Sequence, residues 1–311
     1  MEIINDFHGP QSEFGPSVIA LGTFDGLHLG HCDVIRAARE YADKHNYKLL
    51  AFTFSNHPLS EIDPKAVPPK LISNKEKEDL FAKLGVDVLV NIPFTHYFSQ
   101  LSPEKFLEKL KIFSFKCLVV GENYSYGFLG KGNTKTLMKY GQEDKFDVIV
   151  RKLIEINGTV VSSSMIRELI KNGQIALANK MLGRAYTISG TVVSGASRGC
   201  CLGFPTANIE FSDADLIVPA KGVYAVKVFV SNIEHLGMAN IGYSPTFGDV
   251  EKKRLEINIF DFFDDIYGKQ IIVHLMDYIR GECKFNSPAE LCDQIQKDKD
   301  IISAYFSEKE K

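Results

Sequence analysis

Nothing in the 311-residue sequence supplies a disulfide framework, a membrane span or a surplus of one charge. The six cysteines (Cys32, Cys117, Cys200, Cys201, Cys283, Cys292) include no CxxC pair, and the one close pair is directly adjacent, a spacing that strains a disulfide. Reduced thiols in a cytoplasmic setting are therefore expected. No apolar run approaches the roughly 20 residues that cross a bilayer. The start, Met1-Glu2-Ile3-Ile4-Asn5-Asp6, has no basic flank leading into an apolar stretch. With 36 Lys+Arg against 39 Asp+Glu the formal charge is -3, so the molecule as a whole exerts no general pull on nucleic acid or anionic lipid. Lys139, Lys145, Arg151 and Lys152 are scattered and form no basic stripe with stacking aromatics. HExxH, Walker A and GxGxxG are all missing, as is any internal repeat. The partners expected are small molecules, with neither nucleic acid nor membrane among them, and the sequence sets no oligomeric state.

The length is about two domains' worth at roughly 150 residues each, and 45% hydrophobic content provides two cores. Between residues 17 and 151, short apolar runs alternate with helical periodicity: Val18-Ile19-Ala20-Leu21, Leu49 to Phe54, Val86 to Val90, Leu118-Val119-Val120 and Val148-Ile149-Val150. Strands apolar on both faces belong inside a parallel sheet covered by helices. The first helix is expected from Leu29 to about Lys44, with Val34, Ile35, Ala38, Tyr41 and Ala42 as its apolar stripe. Ser73-Asn74-Lys75-Glu76 and Ser102-Pro103-Glu104 announce two more. This is an α/β, doubly wound parallel-sheet domain, with its sites at the carboxyl ends of the strands. After a helical pair spanning about Met165 to Met181 the texture changes. Strand-like runs recur at Tyr186–Ser194, Val223–Val230, His235–Ile241, Leu255–Phe260 and Ile271–Tyr278, which suggests a small antiparallel β-barrel or sandwich. Ser287-Pro288 opens a terminal helix. The boundary is set between residues 183 and 184.

The densest chemical signal is Gly22-Thr23-Phe24-Asp25-Gly26-Leu27-His28-Leu29-Gly30-His31, between the first strand and the first helix. Gly22, Gly26 and Gly30 allow close backbone approach, and a helix start offers free N–H groups to phosphate. His28 and His31, three residues apart, can reach one ligand. Three roles are open to the pair: metal binding, core packing and phosphate handling. The lack of a matching ligand set counts against the first, and the glycine flanks count against the second. Ser162-Ser163-Ser164 with Arg167 one turn later reads either as a helix cap with a surface arginine or as a second phosphate-binding helix start.

In the second half, Gly203-Phe204-Pro205-Thr206-Ala207-Asn208, preceded by Gly190 to Gly195, fits an ordinary turn or a phosphate-wrapping loop with Thr206 and Asn208 as oxygen donors. Glu256 lies in an alternating strand, where a solvent-facing role is as compatible with the pattern as a chemical one.

These residues together resemble a known family. The Gly22–His31 loop, Phe54-Ser55-Asn56-His57-Pro58, Asn91-Ile92-Pro93-Phe94, Gly121 to Gly127 and Ser162 to Arg167 are similar to the adenylyltransferase domain of bacterial bifunctional riboflavin kinase/FAD synthetases. Gly203 to Asn208, Gly242 to Phe247, Leu255-Glu256, Asp264 to Gly268 and Ile279 to Phe285 resemble riboflavin kinase. The resemblance implies a bifunctional enzyme that converts riboflavin to FMN and FMN to FAD with ATP and Mg2+. In the first domain it implies ATP contacts by Gly22, Phe24, Asp25, Gly26, Gly30, Ser162, Ser163 and Ser164, with His28, His31 and Arg167 catalytic. FMN would lie toward Phe54, His57, Asn123, Tyr124 and Tyr126, the tyrosines serving either as a stacking wall or as packing. In the second it implies ATP or flavin binding by Gly195, Gly203, Pro205, Thr206, Asn208 and Arg280, with Thr206 and Asn208 as metal-facing groups and Glu256 as base. An alternative keeps the adenylyltransferase and makes the second domain a weak kinase or a flavin-binding regulatory module. The chain departs from the family pattern at Ser164 (usually Thr), Asn56 (usually Pro), Asn123 (commonly Asp) and Cys200 (frequently Arg).

Overall fold

The computed structural model describes residues 1–7, 15–194, 204–245 and 251–309, and divides the chain into two compact units, Met1–Ser163 and Ser164–Lys311. In the first unit six strands form one sheet: β1 (Glu2–Ile4), β2 (Ser17–Leu21), β3 (Lys48–Phe54), β4 (Val88–Ile92), β5 (Phe115–Gly121) and β6 (Asp147–Arg151), in the order β1-β4-β3-β2-β5-β6. All five pairings are parallel. β2 is buried along its whole length because alternate residues feed two cores. Ile19 and Leu21 join one with Phe52 and Phe106; Val18 and Ala20 join the other with Val34 and Ile35. That two-sided burial is what the unbroken apolar run requires.

Helix α1 (Leu29–His45) follows β2 and buries Val34, Ile35, Ala38 and Ala42. Helix α2 (Asn74–Lys83) is capped by Ser73, whose hydroxyl accepts from the Glu76 amide, and α3 (Pro103–Leu110) by Ser102. Helix α4 (Thr134–Asp144) precedes β6. The chain runs outward from β2 through β3 to β4, then returns to the other side of β2 with β5. The loops after β2 and β5 therefore part at this switch point and leave a crevice at the carboxyl ends of the strands.

The second unit opens with a helical pair, α5 (Ser163–Lys171, its first residue in the first unit) and α6 (Ile175–Leu182), closed by Gly183 at φ 72°. This pair lies between the compact-unit division and the boundary expected at residues 183 and 184. Six antiparallel strands then close a barrel: β7 (Tyr186–Val193), β8 (Ala207–Phe211), β9 (Gly222–Val230), β10 (Ile233–Pro245), β11 (Glu251–Ile259) and β12 (Gln270–Arg280), in the order β7-β8-β11-β10-β9-β12. Glycines sit where closure brings strands together: a Cβ on Gly190 would lie 2.3 Å from the Glu210 carbonyl oxygen. Helix α7 (Pro288–Lys309) lays Ile302 and Phe306 over Val223, Ala225 and Met238 on the outside of the barrel.

Candidate active sites

The chain between β2 and α1 is bent by three residues with positive φ: Phe24 (48°), Gly26 (79°) and Leu27 (41°). At Phe24 and Leu27 such a conformation costs on the order of 1–3 kcal/mol each. Both side chains are almost completely buried, and that packing holds the bend. Gly26 admits no side chain, because a Cβ there would meet Leu71 at 2.8 Å. The Phe24 ring stands edge-on to both Phe81 and His31, each at 5.4 Å between centroids.

His28 is the N-cap of α1 and is only 6% exposed. Its Nδ1 accepts a hydrogen bond from the His31 backbone N–H at 3.4 Å, which leaves Nε2 as the protonated nitrogen. The two imidazoles stack with centroids 3.7 Å apart and planes 17° apart. Burial, then the charges of His28 and Lys77, pulls the His31 pKa well below the ordinary 6.5. His31 is thus neutral at pH 7, with Nδ1 buried and without a hydrogen-bond partner among the described residues. A neutral, partly unsatisfied ring stacked on a capping imidazole at a helix start suits an incoming polyanion.

Ser163, the first residue of α5, donates its hydroxyl hydrogen to the Asp25 carbonyl at 2.8 Å, joining the serine run to the histidine loop. Ser162 is half-buried and Ser164 exposed. Arg167, about 6 Å further along the helix axis than Ser163, is buried.

Beyond β3, Phe54 stands edge-on to Phe94 (4.9 Å) and Phe98 (5.2 Å). Asn56 acts as a two-way clamp where the family pattern has proline. Its Oδ1 accepts from the Phe94 N–H at 2.7 Å, and its Nδ2 donates to the Phe94 carbonyl at 3.0 Å. His57 Nδ1 accepts from the Leu59 amide at 3.1 Å. Asn123 is exposed just after β5. Tyr126 is buried in the core against Phe106, whereas Tyr124, stacked on it at 5.8 Å, is half-buried. Burial, then proximity to Tyr126, pushes the Tyr124 phenol pKa up.

Sequence reasoning missed one group here. Lys77, on α2, donates to the Thr23 carbonyl (3.1 Å) and to Thr53 Oγ1 (3.0 Å), and Thr53 in turn donates to the same carbonyl at 2.8 Å. Its available signal was Thr53, the one polar residue inside the apolar run of β3.

In the barrel, register places Asn208 on β8 directly opposite Glu256 on β11, and Glu256 opposite Asn240 on β10. Alternation turns Glu256 to the face opposite the buried Leu255 and Ile257. Arg254, two residues away on the same face, hydrogen-bonds the Glu256 carboxylate. Asn258, also on that face, was missed although the alternation could have revealed it. Its Nδ2 donates to the Pro205 carbonyl at 2.7 Å and fixes the turn carrying Thr206. Pro205 and Thr206 line a cavity of about 300 Å³ with Ile257, Ile259, Phe262 and Tyr267; Glu256 and Asn208 are not in its wall. Arg280 forms a fork onto Asp298, with contacts of 2.6–3.0 Å, and donates from Nη1 to the Gly281 carbonyl. Asp298 is 1% exposed, so breaking this pair would leave a buried charge. Gly195, Gly203 and Cys200 lie outside the described residues.

Comparison with known proteins bears on both units. Residues 11–165 match the family model described as FAD synthetase, and residues 182–306 match riboflavin kinase. The bifunctional riboflavin kinase/FMN adenylyltransferase of Bacillus subtilis (strain 168) is 39% identical, with 99% of this chain and 98% of that protein covered. Its counterpart of the same name in Listeria monocytogenes is also 39% identical, over 94% of this chain and 93% of that protein. A crystal structure described as a macrolide-efflux protein from Streptococcus pneumoniae superposes with a TM-score of 0.90. It is 32% identical and covers 97% of this chain and 99% of its own. Among the described residues of the present chain, no helix is long and apolar enough to cross a membrane.

Proposed function

The chain belongs to the bifunctional riboflavin kinase/FMN adenylyltransferase family, and on that premise we propose how its residues divide two ATP-dependent transfers. The enzyme phosphorylates riboflavin to FMN and joins FMN to the AMP portion of ATP, releasing pyrophosphate. Residues 184–311 are assigned the first transfer and residues 1–183 the second. The observation that carries this division is the stacked His28–His31 pair at a helix start in one unit, with Glu256 opposite Asn208 on a barrel wall in the other. Its working partners are flavins and ATP, in a cytoplasmic setting.

For adenylyl transfer, an oxygen of the FMN phosphate bonds to the α-phosphorus of ATP as the bond to the β-phosphate oxygen breaks. Pyrophosphate leaves with the electron pair, and no covalent enzyme intermediate is needed. His28 offers its Nε2–H to the charge growing on the phosphoryl oxygens, with the neutral His31 ring stacked beside it. Gly22, Gly26 and Gly30 keep the backbone close to the triphosphate. The Ser162–Ser164 run and Arg167 receive its far end. FMN docks toward Phe54, His57, Asn123 and Tyr124, with Tyr126 supporting Tyr124 from the core.

For phosphorylation, the ribityl 5′-hydroxyl attacks the γ-phosphorus while Glu256 takes its proton, and ADP leaves. Arg254 orients that carboxylate. Thr206 and Asn208 are hard oxygen donors two residues apart, and no cluster of three His, Cys, Asp or Glu side chains is suited to a metal among the described residues. That donor set fits Mg2+, a cation held by few protein oxygens together with substrate phosphates, and Thr206 and Asn208 would hold it. When bound it neutralises phosphate charge. Arg280, anchored by Asp298, is assigned to support the flavin or nucleotide loops of the barrel.

Product analysis tests the assignment. With ATP and Mg2+, riboflavin is expected to yield FMN, ADP and then FAD, and supplied FMN to yield FAD and pyrophosphate. Arg167→Ala is expected to lose only the FAD step and Thr206→Ala only the FMN step. FAD from supplied FMN without FMN from riboflavin would instead establish the single-activity alternative. Equal loss of both products in a folded variant would overturn the residue assignment.

A further inference from the structure

We propose that Lys77 is a phosphate-binding residue of the adenylyl-transfer site, placed by α2 beside the carboxyl ends of β2 and β3 with one ammonium N–H directed to ATP. The inference rests on the FMN-adenylylating function proposed above for this unit.

Three observations converge. Two of the three ammonium hydrogens are held, by the Thr23 carbonyl and by Thr53 Oγ1, so the Nζ atom is fixed rather than swinging in solvent. The hydroxyl of Thr53, itself 0% exposed, closes the triangle by donating to the same Thr23 carbonyl. The position is thus built from the β2–α1 loop itself, within the stretch that carries His28 and His31.

Second, Lys77 forms no ion pair among the described residues; Asp25 acts on it only at longer range. Burial lowers its pKa to about 8, against the weaker upward pull of Asp25. A fixed ammonium hydrogen-bonded to two neutral oxygens, with Asp25 as the carboxylate acting on it from further off, keeps its third hydrogen for an incoming anion. Third, Lys77 and His31 feel one another electrostatically, with His28 as the other group acting on His31. The ammonium, held on the Thr23 carbonyl, and the histidine pair at the start of α1 are thus attached to one loop. A triphosphate brings that anion, and its arrival reverses the desolvation penalty that weakens the lysine's hold on its proton.

The free-enzyme titration of this group gives the test a signature that simple bracing of the loop lacks. Below about pH 8 the ammonium is charged and binds phosphate; above it the charge is lost. In wild type, kcat/KM for ATP in FAD formation from FMN is expected to fall as pH rises past about 8. Lys77→Arg, which stays charged, is expected to remove that limb. Lys77→Met and Lys77→Gln are each expected to lower kcat/KM for ATP about 10- to 100-fold, the scale of one charge-assisted hydrogen bond, and to remove the limb as well. Gln keeps a donor for the Thr23 carbonyl without the charge, which separates bracing from phosphate binding. Riboflavin phosphorylation by the same preparations, expected within twofold of wild type, reports an intact protein. Retention of wild-type kcat/KM for ATP in Lys77→Gln would overturn the proposal, as would an unchanged pH limb in Lys77→Arg. A wild-type enzyme that makes no FAD from FMN and ATP would instead refute the underlying function.

Discussion

Replacing His28 with alanine is expected to lower FAD formation from FMN by about 10²- to 10³-fold while riboflavin phosphorylation stays within twofold of wild type. Two roles are combined in this side chain, and the experiment has to separate them. As N-cap of α1, His28 accepts the His31 amide; losing a cap typically costs about 1 kcal/mol, or a few degrees of melting temperature in a domain of this size. In the role proposed for it, a donor through Nε2 to charge that develops only as the α-phosphorus is attacked, its removal is expected to act on kcat rather than on KM alone. His28→Asn resolves the two, because asparagine is among the best N-caps yet lacks the imidazole donor. It is expected to keep the melting temperature of wild type and to lose FAD formation nearly as severely as His28→Ala. Steady-state kinetics of both variants beside thermal melts make the check. Recovery of activity in His28→Asn would mean that the histidine is only a cap.

The corresponding result in the barrel is a loss of FMN formation by about 10²- to 10⁴-fold in Glu256→Gln, with FAD formation from supplied FMN unchanged. Glutamine preserves the length of the side chain, so the strand and its pairing with Asn208 and Asn240 remain. What the variant loses is the carboxylate proposed to accept the proton of the ribityl hydroxyl. Arg254 sharpens the expectation. Since its guanidinium orients the Glu256 carboxylate, Arg254→Met is expected to lower kcat by a smaller factor and to leave KM for ATP nearly unchanged. A Glu256→Gln enzyme that forms FMN at the wild-type rate would remove the base assignment and leave Glu256 as an outward-facing strand residue.

How far these sites could be read from the sequence differs by element. Runs apolar on both faces are sufficient for β2 to β5, because a strand inside a covered parallel sheet has no polar face to confuse the pattern, and the shorter run Val148–Val150 marks the edge strand β6. β1 escaped notice: three residues on the edge of the sheet carry too little periodicity, and only pairing with β4 makes Glu2–Ile4 a strand. Barrel and sandwich were equally compatible with alternating strands. Closure depends on contacts such as the approach of Gly190 to Glu210, which alternation does not encode. The histidine loop announced itself through glycine spacing, but its bend rests on Phe24 and Leu27 at positive φ, residue types that give no hint of that conformation. Asp298 could have been recognised from its place on the same helical stripe as Ile295 and Ile302, since a carboxylate on an apolar face needs a partner. Lys77 was harder: a charged residue on an amphipathic helix reads as solvated, and only the fold brings it to Thr23 and Thr53.

On the proposed assignment, flavin substrates bound at two separate sites of one chain attack ATP at two different phosphorus atoms. Isotope tracing tests it directly, with riboflavin and either α- or γ-phosphorus-labelled ATP given to wild type and to His28→Ala. The γ-label is expected first in FMN and then in FAD, the α-label only in FAD, and the His28→Ala enzyme is expected to accumulate γ-labelled FMN with almost no α-label in any flavin. An α-label absent from wild-type FAD, or FMN formation that collapses together with FAD formation in His28→Ala, would contradict it.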